Sequence, residues 1–379
     1  MPLHRLTITD FRNLKYVDIE LGNRLNVFFG ENGSGKTSIL ESIHTLSLAR
    51  SFRSRKFKSI INNSASSFTV FSRIVTAANE ELAVGVRRES NGDGLIRVNQ
   101  RAVNSASQLA ELMPVRVINS DSFSLLDGGP GERRSLLDWL MFHVEHDFHS
   151  VWKQYEKCLK QRNSVLRHDK IDPLLLDPWD AELIPLGVKL DSYRARAFEM
   201  IKDEFLLLVG ELEGLPGDFD LRFHRGWEKD LDLGEYLAAN RDRDFALGYT
   251  RQGPHRADIR VMVGQSVAVD LLSRGQQKSV VSALILAQGR VFSRYAGSSC
   301  VYLVDDLPAE LDLAHRKQLC HWLSELCTQV CITGVEAEKI LEAWPEEDDR
   351  KVFHVKHGTV EEVLQDQQFY IGSVSKDGE

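Results

Sequence analysis

The residues Gly30-Glu-Asn-Gly-Ser-Gly-Lys-Thr37 fit the spacing G-x-x-x-x-G-K-[ST] in full. Glycines at 30, 33 and 35 let the backbone curl, so that the N–H groups of the loop, Glu31, Asn32 and Ser34 among them, point at one phosphate. Lys36 at that spacing reaches the β- and γ-phosphates of a nucleoside triphosphate, and Thr37 offers a hydroxyl to Mg²⁺. At ordinary residue frequencies such a match arises in roughly one chain per hundred of this length. Its setting makes an accident rarer still. The motif follows an apolar run, Arg24 to Phe29, and opens a stretch where Ile39, Leu40, Ile43 and Leu46 recur at helical spacing. A dinucleotide site is disfavoured, because G-x-G-x-x-G fails at Ser38.

Triphosphate chemistry needs an acid on a second strand. Val301-Tyr-Leu-Val-Asp-Asp306 supplies two at the end of an apolar run. Asp305 is expected to hold Mg²⁺ through water, and Asp306 to orient the attacking water as the catalytic partner of Lys36. A third segment, Leu272-Ser-Arg-Gly-Gln-Gln-Lys278, lies upstream and opens a helix with Ser273 as its N-cap. It resembles the L-S-G-G-Q signature of ABC-type ATPases. Asp305-Asp-Leu-Pro-Ala-Glu-Leu-Asp312 resembles their acid strand and D-loop, the latter ending on Asp312. In ABC-type heads the signature lies too far from its own phosphate loop to touch the same nucleotide. The resemblance therefore implies that Ser273, Arg274, Gly275 and Gln276 act in trans on a second copy. ATP would hold such a two-fold dimer together, and hydrolysis would loosen it.

The elements that must position these segments can be read coarsely. Residues 3–9 and 17–21 alternate as strands, and three β-rich runs between Phe68 and Val103 form an antiparallel meander, broken at Asn79-Glu80 and at Asn91-Gly-Asp-Gly94. A turn cluster at Asp127-Gly-Gly-Pro-Gly131 precedes a long helical stretch, Glu132 to Leu212. Val261 to Leu272 reads as a hairpin turning at Gly264-Gln265. Helices from Gln276 to Arg294 and Ala314 to Leu326 then alternate with strands Cys300–Val304 and Gln329–Thr333. Strand–helix alternation at both ends predicts an α/β sheet domain with a mainly helical insertion. Its boundaries are residues 1–126 and 246–379 for the two sheet portions, with 127–245 as the insertion.

Composition narrows the classes. The 379 residues carry 47 Lys and Arg against 55 Asp and Glu, a net charge of −8, so any nucleic acid must be held by local basic patches. The longest uncharged stretch, Ser59 to Ser72, is 14 residues with eight Ser, Asn or Thr, too short and polar for a bilayer. The N-terminus has no apolar leader core, and the five scattered cysteines make no disulfide framework. A soluble cytoplasmic protein with reduced, buried thiols is expected. His143, His146 and His149 cover too wide an arc for a zinc site.

Five basic residues and no acid lie in the nine positions Arg50-Ser-Phe-Arg-Ser-Arg-Lys-Phe-Lys58. Arg50, Arg53, Arg55, Lys56 and Lys58 are the candidate phosphate contacts for DNA, with Phe52 and Phe57 as anchors of the loop. Arg87-Arg88, Arg97, Arg101, Arg251, Arg256 and Arg260 are weaker candidates, and Arg133-Arg134 is either structural or part of a groove.

Ile8-Thr-Asp-Phe-Arg-Asn-Leu14 and the phosphate loop resemble the ATPase heads of the structural-maintenance-of-chromosomes class. With Leu46-Ser-Leu-Ala-Arg-Ser-Phe-Arg53, Gly128-Gly-Pro-Gly-Glu-Arg-Arg-Ser-Leu-Leu-Asp138 and Gly253-Pro-His-Arg-Ala-Asp258, the chain is similar to the RecF family of bacterial recombination mediators from Thr7 to about Gly334. The insertion is too short for the long coiled coil of the chromosome-organising proteins. The resemblance implies an ABC-type P-loop ATPase head with an antiparallel β subdomain and a helical second lobe, and it adds Arg12 to the nucleotide-binding set. It further implies ATP and Mg²⁺ as ligands, a weak DNA-stimulated ATPase, non-specific binding at single-strand gaps and duplex, and cooperation with RecO and RecR to load RecA. A transporter's nucleotide-binding subunit and a soluble P-loop kinase are the alternatives. Two departures stand out. Arg274 replaces the first glycine of the transporter signature, and Gly334-Val335 stands where transporters carry a switch histidine. Ser120-Asp121 is the candidate Q-loop region.

Overall fold

The apolar run before the phosphate loop becomes the strand Leu25–Phe29, and its place in a sheet determines everything around it. In the computed structural model, which describes residues 2–54, 56–76, 80–103, 105–167, 173–345 and 349–363, the chain divides into two units. One comprises residues 1–122 and 297–379, the other 123–296.

The first unit holds two six-stranded sheets. One is antiparallel and runs, edge to edge, Leu14–Glu20, Leu3–Phe11, Ser67–Val75, Glu81–Glu89, Gly94–Val98 and Arg101–Ala102. The period-two alternation reappears as burial: Phe68, Val70, Ser72 and Ile74 face the core while Thr69 and Phe71 face outward. The other sheet orders Thr359–Glu362, Arg350–Lys356, Leu25–Phe29, Val330–Gly334, Val301–Val304 and Val115–Ile118. All of its pairings are parallel except the terminal hairpin 350–362. Central parallel strands are buried on both faces, which is why they read as unbroken apolar runs. The helix Lys36–Leu48 lies in this unit's core, with Ile39, Leu40, Ile43 and Leu46 fully buried as their spacing predicted.

The second unit is mainly helical. Its principal helices are Pro130–Val144, Phe148–Leu166, Asp177–Gly210 and Arg274–Ala296. A three-stranded antiparallel sheet orders Ser266–Val267, Asp258–Val263 and Phe219–His224. The unit thus begins four residues ahead of the expected boundary and continues to residue 296 instead of stopping at 245. The reason is pairing at long range. Asp258–Val263 joins Phe219–His224 over six residue pairs, and Arg274–Ala296 packs on Asp177–Gly210 and Pro130–Val144. The expected hairpin 261–272 is also shorter than its sequence suggested. Its second arm is two residues long and gives way to the helical turn Ala268–Leu271.

The segments Gly128–Asp138 and Gly253–Asp258 meet here as a buried ionic lattice. Arg133 grips Asp258 at 2.7 and 3.2 Å, and Arg134 donates to the Ala257 carbonyl at 2.7 Å. Arg194 holds Asp138 at 2.7 and 2.8 Å and donates to the Pro254 carbonyl at 2.6 Å. Arg133 and Arg134 are therefore structural. His143 donates to the Trp139 carbonyl at 2.7 Å and packs among Trp139, Phe142 and Phe292, so its ring belongs to an aromatic cluster. Four of the five thiols are buried, but Cys327 is exposed, at a left-handed turn with φ +49°.

Candidate nucleotide-binding site

The phosphate loop leaves the carboxyl end of Leu25–Phe29, and Asp305 follows the carboxyl end of Val301–Val304. Val330–Gly334 runs parallel between these strands, pairing Val304 with Ile332 and Phe28 with Thr333. Loop, acids and Thr333 are thus gathered at one end of the sheet, where open α/β sheets place their ligands. Thr37 Oγ1 donates to Asp305 Oδ1 at 2.9 Å, and Thr333 Oγ1 donates to the same oxygen at 2.7 Å. The Thr333 hydroxyl also accepts from the Asp306 backbone N–H at 2.7 Å. That bond secures Asp306 in a left-handed conformation, φ +53°, one that non-glycine residues adopt rarely.

Lys36 is buried and donates to the Gly30 and Glu31 carbonyls at 2.7 and 2.9 Å, closing the loop on itself. Burial pushes its pKa down, against the opposing pull of Asp306 and Asp305. Asp306 is pushed up from the usual carboxylate range, by burial first and then by Asp305 beside it, with Lys36 acting in the other sense. Gly30 has φ +148°, and a Cβ there would lie 2.2 Å from the Val355 carbonyl oxygen. No other residue fits. The terminal hairpin braces the loop again through Gly358, whose N–H donates to the Ser34 carbonyl at 2.8 Å. From the first hairpin, Asn13 donates to the Gly33 carbonyl at 3.2 Å and accepts from Ser38 at 3.0 Å.

A cavity of about 530 Å³ opens over this arrangement. Asn32, Gly33, Gly35, Lys36 and Thr37 line one side, with Asp305, Asp306 and Thr333 beyond them. Arg12 and Arg53 line it as well. Both point toward Glu41, which is wholly buried on the phosphate-loop helix. Arg12 grips it at 3.0 and 2.7 Å, Arg53 comes within 3.8 Å, and Ser51 Oγ donates to it. Arg53 thus faces the cavity, whereas sequence reasoning grouped it with the basic loop. Arg50, Lys56 and Lys58 are exposed, and Arg55 lies outside the described residues. Phe52 meets His44 edge-on and Phe57 lies under Arg88, so both rings anchor the loop. Ser34 Oγ is buried without a hydrogen-bond partner in the middle of the phosphate loop, next to Lys36. A loop of this kind fits an anion: its cation, hydroxyls and glycine backbone converge, and Asp305 meets Thr37 at its edge, where a divalent ion would join acid to phosphate.

The signature is built differently, in the second unit. Ser273 accepts from the Gln276 N–H at 3.4 Å while Gln276 Oε1 accepts from the Ser273 N–H at 3.0 Å, a reciprocal cap that opens the helix. Ser273, Arg274 and Gly275 are exposed. Arg274 reaches Asp127 at 3.2 Å, and Gln276 donates to the Gly214 carbonyl at 2.9 Å. Asp312, in the first unit, caps the helix Leu313–Glu325 by accepting from the His315 N–H at 3.0 Å and from its ring at 2.8 Å. Ser120-Asp121 forms a single turn after the strand Val115–Ile118.

Sequence reasoning missed Thr333, Asn13 and Glu41. Only Thr333 had a signal, a hydroxyl at the end of an apolar strand.

Comparison with known proteins agrees with this architecture. A family model described as the RecF/RecN/SMC N terminal domain matches residues 2–361. The DNA replication and repair protein RecF of Cellvibrio japonicus (strain Ueda107) is 46% identical over 362 residues, 95% of this chain and 99% of the relative. That of Pseudomonas entomophila (strain L48) is 45% identical over 360 residues, 95% of this chain and 98% of the relative. Among solved structures, the recombination mediator protein RecF with ATP superposes with a TM-score of 0.84 at 24% identity, over 96% of this chain and 99% of that one. The Smc head domain of Pyrococcus furiosus bound to the ScpA C-terminal domain gives 0.58 at 16% identity, over 95% of each. These two structures share the fold. The chain belongs to the RecF family of DNA replication and repair proteins.

Proposed function

We propose that this chain is an ATP-controlled DNA-binding protein of recombinational repair and replication restart. The observation that carries the reading is the bond from Thr37 to Asp305 at 2.9 Å, directly beside Lys36, at the end of a parallel sheet. In it a phosphate loop and its partner acid already share one site. Lys36 exchanges the Gly30 and Glu31 carbonyls for the β- and γ-phosphates of ATP, and the N-terminus of the helix Lys36–Leu48 adds its positive end. Thr37 and Asp305 hold Mg²⁺, which when bound neutralises charge on those phosphates. Asp306, its pKa raised, accepts a hydrogen bond from the attacking water, and Thr333 keeps it aimed. Arg12 supplies a further cation to the cavity.

Ser273, Arg274, Gly275 and Gln276 of a second copy close the site from the other side, so ATP favours a two-fold homodimer and slow hydrolysis releases it. On the same reading the D-loop ending on Asp312 would also face the second copy. DNA, at single-strand gaps and duplex, is gripped by backbone contacts from Arg50, Lys56 and Lys58, without base-specific contacts. That a solved protein of the same fold is a RecF–ATP complex of the RecFOR pathway supports RecO and RecR as partners, with RecA loaded at gaps as the outcome. Among the described residues no helix is long and apolar enough to cross a membrane; as a RecF-family protein the chain works on the chromosome in the cytoplasm. Membership of the RecF family sets the transporter and kinase readings aside.

The test is a titration of the protein with a fluorescent ATP analogue, with and without Mg²⁺, followed by capture of a gapped duplex. Mg²⁺-dependent nucleotide binding that increases DNA retention is expected. Nucleotide binding that leaves DNA retention at its nucleotide-free level would overturn the reading.

A further inference from the structure

The outer face of the antiparallel sheet holds a second hollow, of about 440 Å³, in which the site above has no part. Strand register explains its shape. Phe71 stands opposite Gly85, and Gly85 stands opposite Arg97, so ring, glycine and guanidinium follow one another across three neighbouring strands. A Cβ at Gly85 would already touch the Phe71 ring at 3.7 Å. With only hydrogen there, the space between Phe71 and Arg97 stays open. In the adjacent row Thr69 faces Arg87 and Arg87 faces Leu95, which is 38% exposed. Gln100 closes one end. Two arginines and no carboxylate line the hollow, in a chain whose net charge is −8. Glu89 lies 3.2 Å from Arg87, whereas among the described residues Arg97 meets no carboxylate within 4 Å.

We propose that this hollow takes an unpaired base of single-stranded nucleic acid, stacked on Phe71 under Arg97, with the flanking phosphates on Arg87 and Arg97. The proposal rests on the DNA-binding reading above and adds to it a preference for unpaired bases. A flat apolar bed between an aromatic ring and a guanidinium matches the two faces of a nucleobase. Duplex DNA keeps those faces inside its own stack and cannot offer them. An acidic peptide with an apolar side chain is the competing occupant. The openness at Gly85 favours a planar guest over a branched one.

The experiment compares the full chain with Phe71→Leu and Arg97→Gln. Fluorescence anisotropy is read on an oligothymidylate of about 15 nucleotides and on a duplex of equal length. Phe71→Leu keeps the apolar volume and removes the ring; Arg97→Gln changes an exposed side chain and leaves the core intact. Each is expected to weaken single-strand binding about 5- to 50-fold and duplex binding less than about twofold. In Arg97→Gln the salt dependence on single strands should also fall by about one ion. Unchanged single-strand binding, or equal losses on both substrates, would overturn the stacking site while leaving DNA binding in place. A wild-type chain that retains neither substrate would overturn the underlying reading as well. If a Glu- and Phe-containing peptide displaces the strand and loses affinity in the same variants by a larger factor, the hollow is a peptide site and the proposal fails.

Discussion

The phosphate loop and the signature are both N-terminal ends of helices, yet they are held in opposite ways. The loop is braced from sequence-distant sides: Val335 and Gly358 bond its backbone, Asn13 pins it from the first hairpin, and Asp305 meets Thr37 from another strand. The signature is held mostly by neighbours close in sequence, its own cap and the Gln277 amide on the Val269 and Leu272 carbonyls, with Arg274 on Asp127 and Gln276 on Gly214, and it leaves Ser273, Arg274 and Gly275 open to solvent. The loop is prebuilt: Gly30, Ser34, Gly35 and Lys36 are buried while Glu31, Asn32 and Gly33 are exposed. A segment that, as proposed, acts on a second copy need only be rigid enough to present its donors. Substitutions in the two should accordingly separate nucleotide binding from association.

Asp306→Asn should give the largest effect. Hydrolysis falls about 10²- to 10⁴-fold while ATP binding persists, so the dimer lives longer; single-turnover hydrolysis alongside nucleotide titration reads both. A variant that still turns over at the native rate would move the base elsewhere. Next comes Lys36→Ala, expected to weaken nucleotide binding about 10- to 100-fold by calorimetry, and association with it. Smaller is Glu41→Gln, which removes the charge holding Arg12 and Arg53 but keeps the shape. Nucleotide affinity should drop about three- to tenfold, with association following in proportion. An unaltered affinity would show that the two arginines are held by other means.

The smallest effect sharpens the comparison between the two units through pH. His44 in the first and His255 in the second are buried, and burial lowers each pKa from 6.5 to about 4. His255 sits between the Tyr155 hydroxyl at 2.9 Å and the Thr250 carbonyl at 3.0 Å. A histidine with a depressed folded pKa leaves the fold at full stability above about 6.5. That stability is withdrawn as pH falls toward 4, because the unfolded chain takes up the proton first. From pH 7 to pH 5 each should cost on the order of 2 kcal/mol. Urea unfolding at the two pH values checks this, and His255→Asn should flatten the slope for the second unit alone. An equally steep slope in that variant would assign the titration to other groups.

What the sequence disclosed divides along the same line. The phosphate loop, acid strand and signature are each contiguous segments, so the first shows in its spacing and the other two in their resemblance to ABC-type motifs. Thr333, Asn13 and Glu41 act through strand pairing and packing across tens to hundreds of residues; Thr333 is marked only by its place at the end of an apolar strand, and a lone Asn or Glu carries no such mark. Arg53 shows the same limit. Charge content put it with the basic loop, but only the buried Glu41 determines that it turns toward the cavity. The α/β sheet domain and helical lobe were legible from alternation and turn clusters. Phe219–His224 and the terminal hairpin were not, because neither is a strand without a partner distant in sequence.

The signature of one chain is proposed to complete the nucleotide site of another. Light scattering of Ser273→Arg with Mg²⁺ and ATP, beside the wild type and a nucleotide titration of each, tests it most directly. The wild type should double in mass only with ATP. Ser273→Arg should stay monomeric while binding ATP within about twofold of the wild type. A Ser273→Arg protein that doubles in mass with ATP as the wild type does would contradict it.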